Sequence, residues 1–100
     1  MGKLTKEIAS RMLGDVPEDK RFWCNDGRVL KNLRELETAL KEMSDETFRY
    51  HVNEEKNDFI NWVRDVIGDE DLAKDLRRST VKSVALKKVT DRIAALKRVR

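Results

Sequence analysis

Cysteine, histidine and proline each occur once in this sequence, as Cys24, His51 and Pro17. A lone cysteine cannot form a disulfide within the chain, so nothing indicates an oxidising compartment and we expect a cytoplasmic protein. A zinc site needs three or four ligands at metal spacing, and one cysteine with one histidine does not supply them. We therefore predict no metal site and no cofactor.

Long apolar runs are also missing. None approaches the roughly 18 to 20 residues that cross a bilayer, and the stretch from Met1 to Gly14 is interrupted by Lys3, Lys6, Glu7 and Arg11. The sequence thus predicts neither a signal peptide nor membrane contact. Since low-complexity tracts and Pro/Gly/Ser linkers are absent too, we expect the 100 residues to form one domain.

Charge is abundant and unevenly distributed. Charged residues make up 41% of the chain, hydrophobic residues 39%, and the net charge is +3. From Arg77 to Arg100, nine Lys or Arg stand against the single acid Asp91, so this segment carries +8 and the residues before it carry −5. We divide the domain into a helical body with an acidic surface, residues 1–78, and a basic amphipathic C-terminal helix, residues 79–100.

Hydrophobic spacing in the first half predicts helices and one hairpin. A short amphipathic helix is expected over residues 3–13. Apolar residues flank Asn25-Asp26-Gly27, which is the turn pattern of a small β-hairpin near residues 22–30. Asn32, followed three residues later by Glu35, resembles a capping box that begins the next helix.

The second half predicts four further helices. One begins after Ser44, one covers residues 54–67 with Gly68 as its C′ residue, one is capped by Asp69, and the last covers residues 81–99. The fold class is therefore mostly α: a compact bundle of about five or six short helices with a small hairpin. We expect its core to contain Leu36, Leu40, Phe48, Phe59, Trp62, Val63 and Leu72.

The middle of the chain carries a run of very different residue types. Its strongest part is Met43-Ser44-Asp45-Glu46-Thr47-Phe48-Arg49-Tyr50-His51-Val52-Asn53, and it continues through Asn57-Asp58-Phe59, Trp62-Val63-Arg64-Asp65-Val66 and Gly68-Asp69. With this signature the chain resembles, over about residues 12–78, a small and mainly archaeal family of uncharacterised domains of unknown function. The resemblance implies no activity, substrate or cofactor, so it supplies no site residues.

Catalytic interpretations of single residues are weak. Cys24 and His51 could suggest a thiol–imidazole pair, but such a pair also needs an orienting group, and one cysteine beside Trp23 is more often an apolar filler. Helical acids such as Asp58 and Asp65 fit caps and ion pairs better than paired catalytic carboxylates. We predict no enzymatic activity and no catalytic residue.

The stretch from residue 50 to residue 62 admits two interpretations. In one, a small molecule or peptide binds in a polar pocket beside two aromatic rings, lined by His51, Asn53, Asn57, Asp58, Phe59 and Trp62. In the other, Asn53 and Asp58 hold helix ends, His51 bridges backbone groups and the rings fill the core. We favour the second, because it explains every position without a ligand.

The C-terminal segment carries the main functional hypotheses. In the first, a non-enzymatic module contacts nucleic acid or a ribonucleoprotein particle through Arg77, Arg78, Lys82, Lys87, Lys88, Arg92, Lys97 and Arg98. In the alternative, a protein partner or a second copy of the chain packs on an apolar seam at 3-4-3 spacing, made of Leu86, Val89, Ile93 and Leu96. A solvated helix face balanced by the acidic body is the third interpretation.

Two other uses of this segment are not favoured. Its apolar face has no Trp or Phe to anchor in a lipid interface, so binding to a membrane surface is not expected. A helix-turn-helix over Leu72 to Val89 lacks the glycine that is common in its turn.

Overall fold

The structure is a computed structural model that describes residues 4–100. These residues form a mostly helical fold with one antiparallel hairpin, which confirms the predicted fold class. The helices are α1 Lys6–Leu13, α2 Leu33–Glu42, α3 Asp45–His51, α4 Asp58–Trp62, α5 Glu70–Arg77 and α6 Lys82–Val99. The strands are β1 Phe22–Trp23 and β2 Val29–Leu30, preceded by a 3₁₀ turn at Glu18–Lys20.

Five helices begin at a side-chain cap. Thr5, Asn32, Ser44, Asn57 and Asp69 each accept a hydrogen bond from the backbone N–H three residues further on, at 2.9 to 3.2 Å. These bonds satisfy donors that the first helical turn leaves without a partner. The predicted caps of α2, α3 and α5 are confirmed.

Two predicted helix boundaries are wrong. The first helix begins at Lys6, because Thr5 is its cap, and residue 3 lies outside the described residues. The helix predicted over residues 54–67 begins at Asp58, because the preceding Asn57 is its cap. The polar residues before this cap carry no hydrophobic periodicity, so the spacing alone could not locate the helix start.

A widened turn connects α4 to α5. The backbone is π-helical over Val63–Ile67, and the N–H groups of Gly68 and Asp69 both donate to the Val63 carbonyl, at 2.9 and 3.1 Å. Gly68 has φ +83°, a left-handed conformation that costs glycine little, and its predicted C′ position is confirmed. This turn places Asp69 at the start of α5 with its side chain inside the protein.

One apolar core holds these elements together. All seven core residues predicted from the sequence are buried. Helix α6 belongs to this core, because its Ala85, Val89, Ile93 and Leu96 are buried where α6 packs on α1, α2 and α5. The basic C-terminal helix is therefore part of the same packed unit as the body. Within residues 4–100, no helix combines the length and the apolar composition needed to cross a membrane.

Candidate functional site

The histidine is buried and is held at both ring nitrogens. Its Nδ1 lies 3.0 Å from Oδ2 of Asp58, and its Nε2 accepts the backbone N–H of Asn25 at 2.9 Å. Because Nε2 accepts, the ring proton of His51 lies on Nδ1 and is donated to Asp58. Phe22 and Phe59 pack on the ring, with centroid distances of 5.1 and 5.3 Å. His51 thus joins the hairpin to α3 and α4 and has no nitrogen left for a substrate.

Cys24 is not arranged as a nucleophile. Its side chain is buried, and burial raises the pKa of the thiol, which favours the unreactive protonated form. The Nε2 atom of His51, which would have to act as the base, already accepts the Asn25 N–H. Among residues 4–100, no three or more His, Cys, Asp or Glu side chains form a group able to hold a metal ion.

The polar residues near His51 hold the backbone. Asn57 caps α4, and the Asn53 side chain donates to two carbonyls at the end of α3, at 3.0 and 3.3 Å. Asp58, the first residue of α4, caps no helix but holds two helix ends together, because it pairs with His51 at the end of α3. It also pairs with Lys56 at 2.8 Å. These contacts agree with the structural interpretation of this stretch rather than with a ligand pocket.

Asp58 makes stability depend on pH. Burial by itself would raise the pKa of Asp58, but hydrogen bonds from Lys56 and His51 outweigh burial and lower this pKa below its ordinary value. A carboxyl whose pKa is lower in the folded state contributes stability above its unfolded pKa of about 3.9 and loses it as the pH falls through the folded value.

We therefore expect Asp58→Asn to flatten the acid dependence of folding. Its free energy of unfolding should decrease less than that of the unchanged chain between about pH 5 and pH 2.5, because the group that takes up the proton is gone. Urea unfolding at both pH values measures this difference. Glu54→Gln, at an exposed carboxyl outside the ion pairs, controls for the loss of one acid. If acid lowers the free energy of unfolding by the same amount in Asp58→Asn and in the unchanged chain, Asp58 is not a source of the pH dependence.

Two of the predicted phosphate contacts, Arg92 and Lys82, form hydrogen bonds within the protein. Arg92 donates from Nε and Nη2 to the fully buried carboxylate of Asp69, at 2.7 and 2.9 Å. Lys82 donates from Nζ to the carbonyl of Met43 at 2.7 Å and lies 3.6 Å from the carboxylate of Asp45. Both side chains therefore connect α6 to the rest of the fold.

Three other predicted contacts converge on one surface cleft. Arg77 and Arg78 at the end of α5 and Lys88 on α6 line a cleft of about 430 Å³ together with Lys74. Asp75 is the single acid in this lining. The four cations are exposed, and within residues 4–100 none of them takes part in an ion pair. We call these five residues the basic cleft.

Lys74 was missed by the sequence analysis. The basic segment begins at Arg77, and Lys74 lies before it among the acids of α5. Its distance of four residues from Arg78 places both on the same side of a helix, which is the signal that could have found it.

The remaining predicted contacts lie outside the cleft. Lys87 forms an exposed ion pair with Asp91 at 2.8 Å, of the kind that contributes little to stability. Lys97 and Arg98 are exposed in the last turn of α6. At 1.5 Å of helix rise per residue, Arg98 lies about 15 Å along the axis from Lys88. The exposed positive charge of α6 therefore extends along its length.

The apolar seam of α6 faces inward. Val89, Ile93 and Leu96 are at most 4% exposed, and Leu86 is half-buried. Another molecule could contact this seam only if α6 left the core of its own chain. Three of the four residues predicted as an interface, Val89, Ile93 and Leu96, are therefore core residues in this structure, and Leu86 packs against that core.

The comparisons with known proteins give one match. A family model described as a family of unknown function, DUF5752, matches residues 18–97. The matched region contains the hairpin, α2 to α5, most of α6 and all five residues of the basic cleft, whereas α1 lies before it. No curated protein and no solved structure matches the chain.

Proposed function

Because the chain belongs to the family of unknown function DUF5752, whose description assigns no activity, we propose a function from the geometry. We propose that the protein is a small non-enzymatic module that binds the phosphate backbone of nucleic acid through the basic cleft. The observation that carries the proposal is the convergence of Lys74, Arg77, Arg78 and Lys88 around one concave surface with a single acid.

The chemistry of the cleft suits phosphate oxygens. Guanidinium groups can hold a phosphate through two parallel hydrogen bonds, and an ammonium group adds a compact point charge. Each neutralised phosphate of a duplex releases counterions, so the logarithm of the binding constant decreases with the logarithm of salt concentration by about 0.9 per contact. Contacts of this kind carry no base information, so we expect little dependence on nucleic-acid sequence.

The exposed cations of α6 extend this surface. Arg98 continues the positive charge along the helix beyond the cleft, and Lys87 adds a charge that is partly neutralised by Asp91. Lys97, about two and a half helical turns from Lys88, is exposed on the other side of α6. Free nucleic acid and a ribonucleoprotein particle would present the same phosphates to this surface. A cytoplasmic location fits the proposal and stays a prediction. Association through the apolar seam is not proposed, because the seam lies in the core.

Neutralising the cleft should weaken nucleic-acid binding in a position-specific way. We expect the triple variant Arg77→Gln, Arg78→Gln, Lys88→Gln to bind a short fluorescent duplex at least about tenfold more weakly at low salt. The slope of the logarithm of the binding constant against the logarithm of salt concentration should also become shallower, by about 0.9 for each phosphate that the variant no longer neutralises. Fluorescence anisotropy between about 50 and 200 mM salt measures both quantities.

The matched control removes the same charge elsewhere. Arg34→Gln, Lys41→Gln and Arg49→Gln change exposed cations of α2 and α3 outside the cleft. This control should bind nearly as well as the unchanged chain. An equal loss of affinity in both triple variants would show that only the net charge matters. Absence of binding by the unchanged chain at low salt would contradict the proposal.

A further inference from the structure

A second cleft of about 430 Å³ lies between α1 and the start of α5. Its apolar wall consists of Leu4, Ile8 and Met12 from the α1 region and Ile67 from the π-helical segment. Its polar wall contains Arg92 with Asp69. A cavity of this size, with an apolar wall and a few oriented polar groups, is typical of small-molecule sites.

The arginine in this wall is fixed in place. Asp69 receives hydrogen bonds from Nε and Nη2 of Arg92, and Asp71 lies 3.9 Å from Nη2. Among residues 4–100, no hydrogen bond involves Nη1 of this arginine. A guanidinium held along one edge by a buried carboxylate offers its remaining N–H groups in a fixed orientation, with little conformational entropy left to lose.

The formal charges around this cleft balance each other. Arg11 and Lys74 contribute two exposed cations, and Glu70 and Asp71 contribute two exposed acids. Water and salt screen exposed charges strongly, whereas a partly buried charge is screened much less. Asp69 balances the charge of Arg92, so hydrogen bonding selects the ligand: the guanidinium, with a side chain 17% exposed, carries only donors, and its free N–H groups require a ligand that accepts.

We propose that this cleft binds a small aliphatic carboxylate, with the carboxylate on Arg92 and the hydrocarbon tail against the apolar wall. Three of the four residues of that wall, Leu4, Ile8 and Met12, lie in or just before α1 and outside residues 18–97. The site is thus made by this chain's own first helix together with the family-matched region. The two clefts share Lys74 at their rims, but the tests below change no residue of the basic cleft, so their outcome does not depend on nucleic-acid binding there.

The first test uses the unchanged chain and three probe compounds. In two-dimensional amide NMR titrations, 4-methylpentanoate should cause saturable shifts in α1 and around Ile67 to Asp71. 3-Methylbutan-1-amine, with a similar tail and the opposite charge, and acetate, with the charge and no tail, should each bind at least about tenfold more weakly. Absence of saturable shifts, or equal binding of the amine or of acetate, would overturn the proposal.

The second test changes the charge of the apolar wall. Ile8 is half-buried in the wall that contacts the tail, so Ile8→Glu places a negative charge in the same cleft as the bound carboxylate. Ile8→Gln has a similar shape and no charge. We expect Ile8→Glu to weaken binding of 4-methylpentanoate at least about tenfold relative to Ile8→Gln. Equal affinities in two variants that both give folded amide spectra would place the ligand elsewhere.

Discussion

Replacing Arg92 with methionine should lower the free energy of unfolding by about 3 to 5 kcal/mol, because the carboxylate of Asp69 would stay buried without its cation. Asp69 is fully buried, and both of its oxygens accept hydrogen bonds from the guanidinium. A domain of this size has about 5 to 15 kcal/mol of stability in total, so the variant should lie close to its unfolding threshold. Urea unfolding at neutral pH measures the loss.

Two further variants assign the effect to the buried pair. Lys88→Met removes an exposed cation from the same helix and should change stability by no more than about 0.5 kcal/mol. Combining Arg92→Met with Asp69→Asn should restore part of the loss, because the buried charge is gone while asparagine still caps α5. If Arg92→Met costs as little as Lys88→Met, the arginine has no structural role and returns to the candidate phosphate contacts.

Leu96→Ala should cost about 2 to 5 kcal/mol, because it opens a cavity in the centre of the core. Leu96 is fully buried between α6 and its neighbours, whereas Leu86 on the same seam is half-buried. We therefore expect Leu86→Ala to cost roughly half as much or less. Comparing the midpoints of urea unfolding of the two variants measures the contrast.

The same pair separates a core from an interface between copies. If the seam packs within one chain, the unfolding midpoint should not depend on protein concentration in the unchanged chain or in either variant. If the seam packs between copies, the unfolding midpoint should rise with protein concentration, and both leucines should contribute to stability. Because α6 is part of the core, the binding experiments use point substitutions rather than deletion of residues 79–100.

Local features of the fold were readable from the sequence. Asn32, Ser44 and Asp69 were identified as caps because a cap acts on a backbone N–H only three residues away. Gly68 was identified because helices commonly end on a glycine with positive φ. The start of α4 could not be identified from the sequence, because the cap at Asn57 is preceded by other polar residues that could equally have begun a helix.

The site was only partly readable. Arg77, Arg78 and Lys88 were named from charge counting, but charge counting does not distinguish an exposed cation from one with a buried partner. Arg92 pairs with Asp69, 23 residues earlier, and Lys82 bonds a carbonyl 39 residues earlier. Neither pairing has a local signal.

The amino-acid sequence by itself determined the helical fold class, seven residues of the core and the accumulation of positive charge after Arg77. These properties depend on residue type and on spacing within a few positions. Only the tertiary structure decided which cations stay free and whether the α6 seam is exposed. The reason is physical: burial and ion pairing depend on distances between residues remote in the chain, and these distances exist only after α6 packs against α1, α2 and α5.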